Sequence, residues 1–71
     1  DLEKGASLLV AAAKESDSQS LSPIWLQQAG EVYEKLGKKD EALKAYQTIK
    51  DKYFNSYNGV NIDKYIERVS K

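Results

Sequence analysis

The sequence has no cysteine and no histidine among its 71 residues. Without cysteine there are no disulfides and no thiolate metal ligands, and without histidine the commonest metal ligand and the usual acid–base group at neutral pH are missing. We therefore expect no catalytic residue, no cofactor, no metal site and no enzyme activity. A core of this size seldom supplies more than about 3–5 kcal/mol, so stability must come from regular helix packing, with self-association as a second source.

An excess of charge of one sign is also lacking, because Lys+Arg and Asp+Glu each number 11. A nucleic-acid-binding domain usually carries a basic surplus or stripe, so we expect no nucleic-acid partner. No apolar run approaches the roughly 18 residues of a membrane span, which predicts no direct membrane insertion by this segment. The chain begins at Asp1 rather than at a methionine, which indicates a segment of a longer protein.

Apolar spacing predicts four helical segments, of which the first covers about residues 2–15. Glycine inside a helix costs about 1 kcal/mol relative to alanine, so we expect a neighbouring helix to approach closely at Gly5. A polar linker over residues 16–20 follows this helix. The apolar positions that recur at spacings of three and four are Leu2, Ala6, Leu9, Val10 and Ala13.

The second and third helices are predicted to form an antiparallel hairpin. Ser22 and Pro23 are typical of an N-cap and a first helical position, and Gly37 is typical of a left-handed helix end. Only Lys38 separates that end from the third helix, which covers about residues 39–53, so the two helices must fold back on each other. Their apolar faces contain Leu26, Ala29, Gly30, Tyr33 and Leu36 in the second helix, and Ala42, Leu43, Tyr46, Ile49 and Tyr53 in the third.

The fourth helix is predicted to be short. Residues 55–59 have the composition of a turn, and Asn61 is suited to cap the helix that follows. The apolar face of this last helix contains Ile62, Tyr65, Ile66 and Val69.

The hairpin carries a small-Gly-x-x-Tyr element at residues 29–33, a glycine turn at Gly37 and an Ala-x3-aromatic element at residues 42–46. This combination resembles the tetratricopeptide repeat, which is complete here over residues 23–54. We expect Gly30 to lie where the backbones of the two helices meet.

Two features depart from the family pattern: Leu26 occupies the usual Trp position, with Trp25 one residue early, and Phe54 replaces the closing Pro. A shift of 37 residues aligns the first helix with the third, so residues 1–16 resemble the second helix of a preceding repeat. Residues 61–70 are predicted to be a C-terminal capping helix. The resemblance implies one all-α domain of antiparallel helical hairpin repeats with three to four helices.

The last part of the chain resembles a narrower group of proteins. Residues 49–56 and 62–68 are similar to the C-terminus of bacterial membrane-tethered repeat proteins, which resemble the ancillary subunit of the secretion translocon. This resemblance implies a bacterial cell envelope location for the parent protein. The absence of cysteine fits a reducing compartment such as the cytoplasm as well, so the sequence leaves the location open.

Repeat proteins of this family usually bind peptides on the first helix of each repeat, which is the second helix here. The residues of that helix with which we expect a protein or peptide partner to interact are Trp25, Gln27, Glu31, Glu34 and Lys35. The sequence therefore predicts a non-catalytic protein–protein interaction scaffold module from a larger protein.

Three alternatives remain open at these positions. Glu31–Lys35 and Glu34–Lys38 are spaced to form ion pairs on a solvated helix face. Trp25 has the size of a residue that packs in the core. The two glutamates could also be imagined as catalytic carboxylates, but no apolar pocket that would raise a pKa is evident around them.

Self-association through the first helix is the alternative function. This helix lacks the partner that would precede it in a complete repeat, which leaves the outer apolar residues Leu8 and Leu9 bare. Because repeat stacks require covered ends to stay soluble, the sequence also allows a homodimer through this helix.

Overall fold

The computed structural model describes all 71 residues, which form five α-helices and no strand. The all-α fold class is confirmed. The four helices expected from apolar spacing are present, and a fifth, one-turn helix lies between the third and the last of them. The helices are α1 (Leu2–Ser16), α2 (Ser22–Lys35), α3 (Lys39–Lys52), α4 (Tyr57–Val60) and α5 (Ile62–Val69).

Successive long helices lie side by side in an antiparallel stack. Helix α1 packs on α2, α2 on α3, and α3 on α5, in a slab whose Cα extents are 28 × 25 × 13 Å. Ser22 at the start of α2 contacts Ala13 near the end of α1, and Lys50 near the end of α3 pairs with Asp63 at the start of α5. The short join over residues 36–38 reverses the chain between α2 and α3. This order is consistent with helical hairpin repeats.

Small residues and tyrosines together build the core. Alanines at the helix contacts let the backbones approach, and tyrosine rings fill the space between neighbouring helices. No buried side-chain polar atom is left without a hydrogen-bond partner. The core consists of Ala6, Ala13, Leu26, Ala29, Tyr33, Ala42, Ala45, Tyr46, Ile49, Tyr53, Ile62 and Val69.

The glycines of the long helices differ from each other in their surroundings. A Cβ atom on Gly30 would overlap the Tyr46 ring, so a small residue is required there, but its close neighbour is a side chain rather than the expected backbone. The expectation for Gly5 is wrong, because no neighbouring atom lies within 4 Å of the position of a Cβ. Gly37 has φ 76°, which confirms the left-handed end of the second helix.

Ser22 is not the N-cap of α2 that the sequence predicts, because that position belongs to Leu21. The Ser22 hydroxyl lies fully buried in the first turn, where it donates to the Ala13 carbonyl at 2.7 Å and accepts from the Ser18 amide at 2.8 Å. It therefore joins the connecting loop to the end of α1 instead of capping α2.

The additional helix α4 lies in the segment predicted to be a turn. Ser56 caps it, since its hydroxyl accepts from the Gly59 amide at 3.0 Å and donates to the Tyr53 carbonyl at 2.6 Å. A Cβ atom on Gly59 would overlap the carbonyl groups of Tyr53 and Phe54, so the turn requires glycine there. Asn61 occupies the N-cap position of α5, but its side chain makes no capping hydrogen bond. No helix combines the length and apolar composition of a bilayer span.

Candidate protein-binding face

Glu34 is the centre of a polar cluster that joins α5 to α2 and α3. Arg68 donates to it through both Nε, at 2.9 Å from Oε2, and Nη2, at 2.6 Å from Oε1. The Tyr46 hydroxyl donates to the same Oε1 at 2.6 Å. The hydrogen bonds from Arg68 lower the pKa of the Glu34 carboxyl from its ordinary 4.5, the Tyr46 hydroxyl acts in the same direction, and partial burial opposes both.

Aromatic contacts reinforce this Glu34 cluster. The rings of Tyr46 and Tyr65 meet edge to face with centroids 5.4 Å apart, and the Arg68 guanidinium lies 5.0 Å from the centroid of the Tyr65 ring. Burial, followed by the hydrogen bond to Glu34, raises the pKa of the Tyr46 hydroxyl, which keeps it protonated and donating. Helix α5 is thus held by charge, by hydrogen bonds and by ring contacts at one place.

Gln27 lies two turns before Glu34 on the same side of α2 and contacts the other short helix, α4. Its Oε1 accepts from Asn58 Nδ2 at 2.6 Å, and its Nε2 donates to the Tyr65 hydroxyl at 3.4 Å. Two of the five candidate binding residues, Gln27 and Glu34, therefore make contacts within the protein that connect α2 to α4 and α5.

The other candidates differ in their exposure. Glu31 and Lys35 are exposed and Trp25 is half-buried against the core. Neither expected helical ion pair forms. Glu34 binds Arg68 and Lys38 binds Glu3, while Glu31 and Lys35 make no ion pair. The exposed side chains that follow one another along α2, which we call the α2 ridge, are Ile24, Gln28, Glu31 and Lys35.

A groove crosses α4 beside the α2 ridge. It consists of two cavities, of about 680 and 160 Å³, that share Tyr57 and Asn58 as a common wall. Ile24 belongs both to this α4 groove and to the α2 ridge, so the two features form one continuous face. The larger cavity is lined by Gln19, Ser20, Ile24, Asn55, Ser56, Tyr57 and Asn58, and the smaller by Gln27, Tyr57, Asn58, Asn61, Lys64 and Tyr65.

Sequence reasoning missed the α4 groove, although its signal was present. Tyr57 stands in a run of uncharged polar residues, Asn55 to Asn58, that no core pattern accounts for. Its ring is 87% exposed, the highest value among the large apolar side chains that the core leaves uncovered.

Helix α1 presents a different surface. Leu2, Gly5, Leu8 and Ala12 are exposed and lie on one flank of the helix, with no ionisable side chain among them. Leu8 is 64% exposed, as expected for the bare flank, whereas Leu9 is half-buried against the core. We call these four exposed residues the α1 flank.

No group of three acidic side chains lies close enough to hold a metal ion. The lowered pKa of Glu34 is opposite to the shift that a carboxyl needs to act as a general acid near neutral pH. No protein-family model, curated protein or solved structure matches the chain.

Proposed function

We propose that the chain is a non-catalytic protein–protein interaction module of the tetratricopeptide-repeat type, part of a larger helical scaffold. Two observations support the repeat interpretation: the order of the helices, and the position of α5, which contacts α3 directly and α2 through the Glu34 cluster. In this interpretation α2 and α3 form the complete repeat, and α5 covers its open side as a cap.

The observation that carries the proposal is the continuous face formed by the α2 ridge and the α4 groove. Glu31 and Lys35 form no ion pair within the protein, so both charges are available to a partner. Exposed large apolar side chains next to charged ones are typical of interaction surfaces. Ile24 and Tyr57 supply them here, with exposures of 41% and 87%.

Charge reversal on the α2 ridge tests this proposal in the full-length protein. Glu31→Lys and Lys35→Glu are each expected to reduce recovery of the bound partner in an affinity pull-down by about tenfold, because a charge that matched the partner would now repel it. Glu15→Lys and Lys14→Glu, exposed on α1, are the matched controls and should leave recovery unchanged. Equal recovery with the ridge variants and with wild type would contradict the proposal.

Self-association is the second candidate function, and the α1 flank favours it. A second copy of α1, laid antiparallel across this flank, would cover Leu2 and Leu8 and would bury no charge. Sedimentation at several concentrations should show a monomer–dimer equilibrium. Leu8→Glu should shift it to monomer, while Lys14→Glu, exposed on a different side of α1, should not. A strict monomer at high concentration would exclude this function.

A further inference from the structure

The lining of the α4 groove has an unusual composition for this chain. Charged residues make up 31% of the sequence, yet the larger cavity has no charged residue in its lining. The only charged residue in either cavity is Lys64, at the α5 end of the smaller one. Lys64 forms no ion pair within the protein. The groove is therefore neutral along most of its length and basic at one end.

Amide side chains along the groove have hydrogen-bonding groups that the protein does not use. The side chains of Asn55 and Asn61 make no hydrogen bond, so each has a free carbonyl and a free NH2 group. Gln19 donates to the Lys52 carbonyl at 3.4 Å and has its Oε1 free. A peptide backbone presents one N–H donor and one C=O acceptor per residue. The free carbonyl and NH2 groups of these side chains can therefore hydrogen-bond to it.

The larger cavity also offers a place for one apolar side chain. Ile24 and Tyr57 are the two apolar residues of its lining, and both are exposed. In an extended peptide, side chains two residues apart point to the same face and lie about 7 Å apart. Two such side chains can therefore lie on either side of the wall that Tyr57 and Asn58 form between the two cavities.

We propose that the α4 groove binds an extended segment of a partner protein, with an apolar side chain between Ile24 and Tyr57 and an acidic side chain, two residues later, on Lys64. The amides of Asn55 and Asn61 hydrogen-bond to the backbone of the bound segment. The inference rests on the proposed interaction function and names the chemistry of the partner. Charge complementarity with Lys64 selects the acidic residue, and the uncharged lining selects the apolar one.

The probe is a short blocked peptide of Ser and Gly that carries one Leu and, two residues later, one Asp. Its titration into the 15N-labelled 71-residue chain should shift the side-chain amide signals of Asn55 and Asn61 with saturation. Replacing the Leu of the peptide by Ala, or its Asp by Lys, should weaken binding about tenfold each, because the first removes the apolar contact and the second places like charges together.

Matched variants of the protein locate the site. Tyr57→Ala should weaken binding about tenfold or more, since exposed aromatic anchors contribute much of the affinity of small interfaces. Leu8→Ala, which changes a largely exposed apolar residue on α1, should have no effect. Lys64→Glu should weaken binding of the Asp peptide and restore binding of the Lys peptide. Binding that is insensitive to both Tyr57→Ala and Lys64→Glu would overturn the inference.

Two further probes test whether the groove binds a carbohydrate or an RNA instead of a peptide. Maltohexaose and an oligouridine also stack on aromatic rings and bind amides, and neither should shift the Asn55 and Asn61 signals. If either shifts them and the peptide does not, the site binds another class of molecule. If the peptide fails while Glu31→Lys still loses the partner, the inference fails and the proposed function stands; if both tests fail, the proposed function fails as well.

Discussion

The two outer helices of the stack, α1 and α5, leave opposite kinds of surface at their edges. Helix α5 has eight residues and is fixed by the Glu34 cluster and by the Lys50–Asp63 pair at 2.9 Å. Helix α1 has 15 residues, packs through Ala6 and Ala13, and leaves its outer flank apolar and uncharged. Both helices make polar contacts with their neighbours, including the Glu3–Lys38 pair of α1, but only α1 leaves an apolar flank uncovered.

The difference between the contacts of α1 and α5 follows from the lengths of the two helices. A helix of two turns is not stable alone in water, so α5 requires contacts with α2 and α3 to form. Helix α1 is about twice as long and packs on α2 through the small residues Ala6 and Ala13. Its larger apolar side chains Leu2 and Leu8 are not needed for this contact and stay exposed. In the proposed repeat interpretation, α5 is the cap of the stack and α1 is its uncovered end.

Tyr46→Ala should destabilise the helix stack more than any other change proposed here, because the ring of Tyr46 is fully buried and contacts both α2 and α5. Removing a large aromatic side chain from a core costs about 3–5 kcal/mol, which is as much as a core of this size supplies. We expect a largely unfolded chain by circular dichroism. Leu8→Ala, on the exposed α1 flank, should change the free energy of unfolding by less than about 0.5 kcal/mol.

Arg68→Ala should loosen α5 and leave α1 unchanged. The pair with Glu34 is partly exposed, so its loss should cost only about 1 kcal/mol. Hydrogen exchange should become faster in the amides of α5 and stay the same in those of α1. Lys71→Ala is the control just beyond the end of α5, because its contact with Glu67 is long, at 3.7 Å, and exposed. Uniformly faster exchange in both helices would contradict a local role for Arg68.

Acid should weaken the α5 edge, with the smallest effect of the three. The pKa of Glu34 is lower in the folded chain than its ordinary 4.5. The carboxylate therefore stabilises the folded state fully above pH 4.5, and this contribution is lost as the pH falls toward the folded pKa. The difference in melting temperature between wild type and Glu34→Gln should shrink from pH 7 to pH 3. A difference that is constant with pH would contradict the pairing.

The α2–α3 hairpin could be predicted from sequence because its determinants are local. Gly37 sets the turn, and the 3–4 spacing of the apolar residues sets the two faces that meet. The partner of Glu34 could not be predicted, since Lys38 is its nearest basic neighbour at helical spacing and Arg68 lies 34 residues away. That choice depends on where α5 packs, which no local pattern specifies.

Gly5 and Tyr57 both show where local sequence fails to predict tertiary packing. Glycine in a helix indicates a close approach only if another element is present there, and none lies beside Gly5. Tyr57 lies in a segment whose composition indicates a turn, yet Ser56 caps a helical turn there and presents the ring to the groove. Local composition predicted the elements, whereas the candidate face depends on how α4 and α5 pack on α2.

A site-specific photocrosslink tests most directly whether proteins bind the face formed by the α2 ridge and the α4 groove. A photoreactive amino acid replaces Gln28 on the ridge in the full-length protein, and the control replaces Gln47, a residue of the same type that is exposed on α3. We predict a discrete protein adduct from position 28 that is absent from position 47. The same adduct from both positions, or none from position 28, would contradict the account.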